Sequence, residues 1–296
     1  MNNTKLASTP THIGSRQIGV ADIPEVVNLL TRGFGTARTR GFWEHILDCL
    51  STRSVPAGYP RFGYIMESDG KLVGVIILIF SILSADGAKK IRCNVSSWYV
   101  DPAFRGYASL LASRALRYKN VTVLNVSAAD FTRTMVDVWG FTKYSNGVFA
   151  AIPALSRPPK DIPVRVIDAH AQPDVPFDPN ERDLLLDHAN YGCTSLWCVT
   201  PEWAYPFVFR TRRAKVVLPC AQLVYCRNID DFVRFARPIG MFLARSMRLL
   251  VIVDANDPVS GLIGKYFPEK MPKYFIGPDR PRIGDLAYTE TAMFGV

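Results

Sequence analysis

Residues 95–111 read Val-Ser-Ser-Trp-Tyr-Val-Asp-Pro-Ala-Phe-Arg-Gly-Tyr-Ala-Ser-Leu-Leu. Apolar and aromatic residues leading into Asp-Pro, then Arg-Gly, then an apolar repeat predict a strand, a tight turn and the start of a helix. A helix start carries backbone N–H groups with no partner inside the helix, and the positive end of the helix dipole. That combination holds an anion, most naturally a phosphate. Arg105 adds a charge-assisted contact, and Gly106 lets a ligand approach the backbone closely.

The elements around this turn have to position it. The helix spans about 104–119, with Leu110, Leu111, Ala115 and Leu116 on its repeat. A β-branched strand follows at 121–127, and a second helix at about 130–138 stops at Gly140. Gly140-Phe141 then leads into a strand over 142–150. Upstream, Asp22 caps a helix carrying Val26, Val27, Leu29, Leu30 and Phe34. Another helix covers 40–50, with Phe42, Trp43, Ile46, Leu47 and Leu50. Strands at 61–67 and 71–83 flank Ser68-Asp69-Gly70, a hairpin signal.

The Val-x-Pro-x-aromatic-Arg-Gly run, the order of elements and the Gly-Phe dipeptide together resemble the GNAT (GCN5-related) N-acetyltransferase superfamily over about residues 15–150. The resemblance implies an α/β fold with a mixed sheet, and acetyl-CoA or another acyl-CoA as co-substrate. It also implies a cofactor site made by Trp98, Tyr99, Val100, Arg105, Gly106, Tyr107, Ala108, Ser109 and Leu110. In the family, backbone N–H groups near the end of the fourth strand face the thioester carbonyl, and Trp98, Tyr99 and Val100 match those positions. The family's Gly-x-Gly-x-Gly/Ala spacing departs here, with Ala108 and Leu110 at the second and third positions. Leu110 takes up room where the backbone closes on the pyrophosphate.

Acyl transfer to an amine needs a neutral nucleophile, a stabilised oxyanion and a proton for the leaving thiolate. Many relatives carry a tyrosine acid four residues before the Gly of Gly-Phe; Val136 stands there and donates no proton. Some carry a glutamate base on the fourth strand; Asn94 stands there and is no base near neutral pH. The substitutes are Tyr99, Asn94, Ser97 and Asn125 as the catalytic set, with Ser96, Ser127, Tyr107 and Tyr144 near the same path. On a regular strand Asn94, Ser96 and Trp98 share one face and Ser97 and Tyr99 the other, an assignment that a bulge alters.

The whole chain has 296 residues and a net charge of +9. Residues 1–155 carry +7 of that excess and 156–296 carry +2, so the charge sits with the phosphate turn. The basic residues are dispersed, without a basic tail or an arginine-rich helix, which argues against nucleic acid as a partner. The longest apolar run, 73–83, is too short to span a bilayer, and no secretory signal is visible. The six cysteines show no zinc-ligand spacing and read as free thiols of a cytoplasmic protein, with no metal site. The four histidines form no Ser-His-Asp or metal-ligand pattern. His45 lies on the second helix, and His188 reads as a helix C-terminal residue.

Seven prolines between 153 and 180 suggest an extended linker. Beyond it come a helix at 181–189, strands at 194–199, 206–210 and 221–227, and a helix capped by Asn228 or Asp230 and running to about 245. A strand at 249–253, a short helix or turn at 261–267, and strands at 273–276 and 286–294 complete the series. Glu290 and Tyr288 read as alternating residues of that last edge strand. The order repeats the first half and suggests tandem domains: 1–152 binding acyl-CoA, 153–180 linking, and 181–296 a degenerate second copy. Its turn, Asn228-Ile229-Asp230-Asp231, has no Arg-Gly and two carboxylates that repel pyrophosphate. The expectation is a cytoplasmic acyl-CoA-dependent N-acyltransferase acting on a small-molecule or protein amine, with no membrane partner, and a homodimer is compatible with it. The rival is a non-catalytic acyl-CoA-binding or regulatory protein of the same fold.

Overall fold

The computed structural model describes residues 12–85, 88–128, 136, 138–157, 162–213 and 219–295. The chain divides into two compact units. The first comprises residues up to Ile82 together with Val95–Lys119; the second comprises Leu83–Asn94 and the chain from Asn120 onward.

In the first unit the strands run β1 (Ile13–Gln17), β2 (Gly63–Ser68), β3 (Lys71–Ala85) and β4 (Ala88–Val100) in sheet order. The last two continue from one unit into the other. The β2–β3 hairpin closes through Asp69 and Gly70, both at positive φ (47° and 78°), the conformation of the tightest hairpin turn. Helix α1 (Ile23–Phe34) buries Val26, Val27, Leu29 and Leu30, and α2 (Arg40–Thr52) buries Trp43, Ile46, Leu47 and Leu50, the stripes that the sequence repeat predicts. Asp22 is not the side-chain cap expected of it. Its carboxylate accepts from the Gly19 N–H at 2.7 Å and pairs with Arg16, and a short 3-10 turn precedes α1.

The expected helix over 104–119 is two pieces. Pro102–Tyr107 is a 3-10 turn, and α3 covers Ser109–Leu116. Ala108 stands between the two pieces, and Gly106 lies within the 3-10 turn. The strand expected at 121–127 stops at Asn125 as β5 (Val121–Asn125), and β6 is Thr142–Ala151. The helix expected at 130–138 lies outside the described residues except for Val136 and Val138.

The second unit has sheet order β4-β5-β12-β6-β11-β10-β9-β8-β7 and mixes parallel and antiparallel pairs. Its further strands are β7 (Val164–Val166), β8 (Thr194–Val199), β9 (Ala204–Arg213), β10 (Pro219–Cys226), β11 (Leu250–Ala255) and β12 (Gly264–Ile276). Alternation explains its two-sided core. Leu196, Phe207, Phe209, Leu223, Val251 and Val253 face α5 (Ile229–Arg234) and α6 (Ala236–Ala244). Their neighbours Trp197, Val208 and Val224 pack with Leu184 and Leu185 of α4 (Pro179–Asn190) and with Leu286 and Ala287. Two strand–helix–strand passages end in parallel pairing, β4 with β5 and β10 with β11.

Four expectations for this half are corrected. The proline-rich segment is not merely a linker, since β7 pairs with β8 and residues Pro153–Leu155 pack on α6 at Gly240. A Cβ at Gly240 would stand 2.2 Å from the Ala154 nitrogen, so only glycine permits that approach. The helix expected to run to 245 breaks at Phe235, because Pro238 has no N–H to donate to residue 234. Residues 261–267 form no helix: Gly264 opens one long strand, β12, which pairs with β6 and irregularly passes Glu269 and Met271, both at positive φ. Residues 286–294 form no strand. They turn and enter α7 (Glu290–Phe294), whose Glu290 is buried rather than exposed on an edge.

Candidate functional site

The first-unit part of the site begins with a distortion of β4. Ser97 has φ +42°, and its Oγ lies 3.1 Å from that of Ser96. Adjacent side chains of a pleated strand point to opposite faces, so this contact requires a bulge. The parity that would put Ser97 and Tyr99 on one face therefore does not carry through. Four residues of β4, Ile91–Asn94, pair with β5.

Past the bulge, Trp98 and Tyr99 are half-buried and Val100 is buried. The Tyr99 hydroxyl donates to Asp101 Oδ1 at 2.9 Å, and Arg32 holds the same carboxylate through Nη2 at 2.7 Å. The Tyr99 ring lies on Gly33, where a Cβ would come within 2.5 Å of it. Burial, reinforced by the bond to Asp101, raises the Tyr99 pKa. Its proton is thus engaged, and Tyr99 is a fixed wall more than an available acid. Asp101, Arg32 and Gly33 were not singled out from the sequence. Asp101 lay within the motif itself, whereas nothing local links Arg32-Gly33 to residue 99.

The turn then opens to solvent. Arg105, Gly106, Tyr107, Ser109 and Leu110 are exposed and Ala108 is half-buried. No hydrogen bond or ion pair engages the Arg105 guanidinium among the described residues. Helix α3 has no side-chain cap and no acid in its first turn. Nothing lies within 4 Å of where a Gly106 Cβ would be. Leu110 is 38% exposed, so its side chain leaves the turn instead of filling it. A cationic, uncapped and accessible helix start fits an anionic phosphate group. Arg114, one turn further on, is committed to Ser15, donating to its Oγ at 2.9 Å and its carbonyl at 3.1 Å.

The remaining candidates lie in the second unit. Asn94 is buried, with its Oδ1 accepting from the Glu290 N–H at 2.7 Å and its Nδ2 donating to the Leu124 carbonyl at 3.4 Å. It ties β4, β5 and the start of α7 together. The Ser127 hydroxyl donates to the Glu290 carboxylate. Asn125 is half-buried opposite Tyr274. Val136 is buried, an apolar residue at the position of the family's tyrosine acid. The Tyr144 hydroxyl is buried, and burial raises its pKa strongly, next to Asp254 as a further cause. The structure thus brings the turn residues together with Tyr99 in one unit, and Asn94, Ser127 and Glu290 together in the other. Glu290, which reads from the sequence as an exposed edge-strand residue, is buried instead because of its contacts with Asn94 and Ser127.

The matching turn of the second unit is built the opposite way. Asn228 Oδ1 accepts the Asp231 N–H at 2.7 Å, and Asp230 and Asp231 stand in the first turn of α5. The arginine before it, Arg227, is spent on Glu181 through Nε at 3.0 Å. No metal-binding cluster of three or more ligands occurs among the described residues, and no described helix is long and apolar enough to cross a membrane.

No protein-family model and no curated protein matches the sequence. Solved structures do match. A GCN5-related N-acetyltransferase from Anabaena variabilis superposes with a TM-score of 0.60 at 11% identity, over 89% of this chain and 72% of its own. A Pyrococcus horikoshii protein assigned as an acetyltransferase gives 0.55 at 14% identity, over 94% of both chains. The GCN5-related glucosamine N-acetyltransferase region of a fungal multi-domain β-N-acetylglucosaminidase gives 0.54 at 10% identity, over 91% of this chain and 38% of that one.

Proposed function

Starting from a chain that has the fold of the GCN5-related N-acetyltransferases, we propose that it is an acyl-CoA-dependent N-acyltransferase whose first strand–turn–helix passage holds the donor. The observation that carries this reading is the start of α3: cationic, without a side-chain cap and open to solvent. Arg105 and the N–H groups of Ser109 and Leu110 receive the pyrophosphate, the Ala108 N–H being donated to the Arg105 carbonyl at 3.1 Å. The backbone of Trp98, Tyr99 and Val100, displaced by the Ser97 bulge, lies along the acyl arm and offers N–H donors to the thioester oxygen. When bound, acyl-CoA supplies an activated acyl group and a thiolate leaving group.

The Tyr99–Asp101–Arg32 cluster fixes the strand end against α1. Asn94 is a tie between elements, not a base, so an amine acceptor enters already neutral or loses its proton to solvent. The acceptor class is a small-molecule or protein amine. The second passage, with its side-chain cap and acidic first turn, binds no CoA and serves as the tandem partner of the first. Val136 and the tied Asn94 favour one alternative, a protein that binds acyl-CoA without turning it over.

Thermal unfolding with acetyl-CoA, desulfo-CoA and longer acyl-CoAs tests the donor site. At about a hundred times its dissociation constant the ligand adds about 2.7 kcal/mol of stability, a clear rise in Tm. No shift with any of them rejects the donor site. A shift without CoA release across a broad amine panel leaves the binding-only alternative in its place.

A further inference from the structure

The six cysteines are not equivalent. Cys93, Cys198, Cys220 and Cys226 are buried. Burial pushes the Cys226 thiol up to about 12 and raises that of Cys198 further still. Cys193 is mostly enclosed, donates to the Ala292 carbonyl at 3.2 Å, and is pushed up to about 11 by burial. Cys49 shares partial exposure with Cys193 but differs from every other cysteine in its company. It is half-buried on α2, and the exposed His45 stands one helical turn earlier on the same face. Its sulfur lies 3.6 Å from His45 Nε2 and 3.9 Å from Nδ1. A thiol within reach of an imidazole and of solvent is the arrangement that makes a cysteine nucleophilic.

We propose that Cys49, activated by His45, is a selective site of S-thiolation by low-molecular-weight disulfides. The His45 imidazole takes the thiol proton, and the Cys49 thiolate attacks one sulfur of the disulfide. A bond forms between Cys49 Sγ and that sulfur while the original S–S bond breaks. The departing thiolate takes the proton from the imidazolium and leaves as a thiol. One disulfide is consumed and one is formed, so no other oxidant enters. Cys93, Cys198, Cys220 and Cys226 are excluded by burial, and Cys193 by its raised pKa and its bond to the Ala292 carbonyl, which fixes the selectivity.

The proposal does not depend on acyl-CoA chemistry, and its test uses the folded full-length protein. The native chain is treated with glutathione disulfide, and separately with 5,5′-dithiobis(2-nitrobenzoic acid), and followed by intact mass and peptide mapping. The expected result is a single early adduct per chain at Cys49, absent from Cys49→Ser. His45→Gln keeps the exposure and removes the base, and slows adduct formation about tenfold at unchanged Tm. An early adduct at Cys193 or another cysteine, or no early adduct at all, overturns the site. An unchanged rate in His45→Gln overturns the role of the imidazole.

Discussion

Two strand–turn–helix passages of this chain differ at the point where a helix begins. At α3 the N–H groups have no side-chain cap, the first turn has no acid, and no hydrogen bond or ion pair engages Arg105 among the described residues. At α5 the Asn228 side chain occupies the Asp231 N–H, two aspartates complement the dipole, and Arg227 is paired with Glu181. The same backbone motif is thus capped by a side chain in one place and left without a side-chain cap in the other. An anion site is made less by adding groups than by withholding the ones that would close it.

The comparison extends to pH, where the largest effect is expected. His188 of the second unit is fully buried; its Nε2 accepts from the Tyr288 N–H at 3.0 Å and its Nδ1 faces the Leu184 carbonyl at 2.7 Å. Burial lowers its pKa from 6.5 to about 4. Between those values the unfolded chain binds more protons than the folded one. The contribution of His188 is therefore complete above pH 6.5 and is lost as pH falls toward 4, by about 3 kcal/mol. Urea unfolding at pH 7 and pH 4.5 measures the loss, and His188→Gln should remove that part of it. An equal loss in the variant would show that other groups carry the acid sensitivity.

Arg105→Glu comes next. It should remove most of the CoA-dependent stabilisation of about 2.7 kcal/mol while leaving the Tm of the free protein nearly unchanged, because Arg105 is exposed. A full ligand shift in this variant would sink the phosphate role of the turn. Asn228→Ala should lower stability by about 1 kcal/mol and leave the CoA shift intact, since the proposed donor site lies at α3 and not in the passage it weakens. Ser109→Asp makes α3 resemble α5. A first-turn carboxylate should raise the stability of the free protein by about 0.5 kcal/mol and weaken CoA binding. Tighter CoA binding by that variant would contradict the electrostatic account of the difference.

Much of the site was legible because its causes are local. The Arg105-Gly106 turn, the Asp69-Gly70 hairpin, the stripes of α1 and α2, and the Asn228 cap each follow from residues within one or two turns of one another. The closing strand of the chain was misread for the opposite reason. Residues 286–294 alternate convincingly, yet Tyr288 gives its N–H to His188 and Glu290 gives its N–H to Asn94. Each bond joins residues a hundred or more positions apart, and together they favour a helical turn over an extended edge. Residues 261–267 were misread likewise, since their strand exists only through pairing with β6.

The sequence by itself determined which helix start lacks a side-chain cap, which one is closed by Asn228 and two aspartates, and which strands alternate toward a core. These depend on capping, dipoles and side-chain period, all set within a few residues. Only the tertiary structure decided that β12 inserts between β5 and β6. It also decided that Ser97 leaves the regular strand, that Tyr99 is tied to Asp101 over Gly33, and that Glu290 is buried against Ser127. Pairing partners and burial are set by contacts between segments distant in the chain, and no short window of residues contains both sides of such a contact.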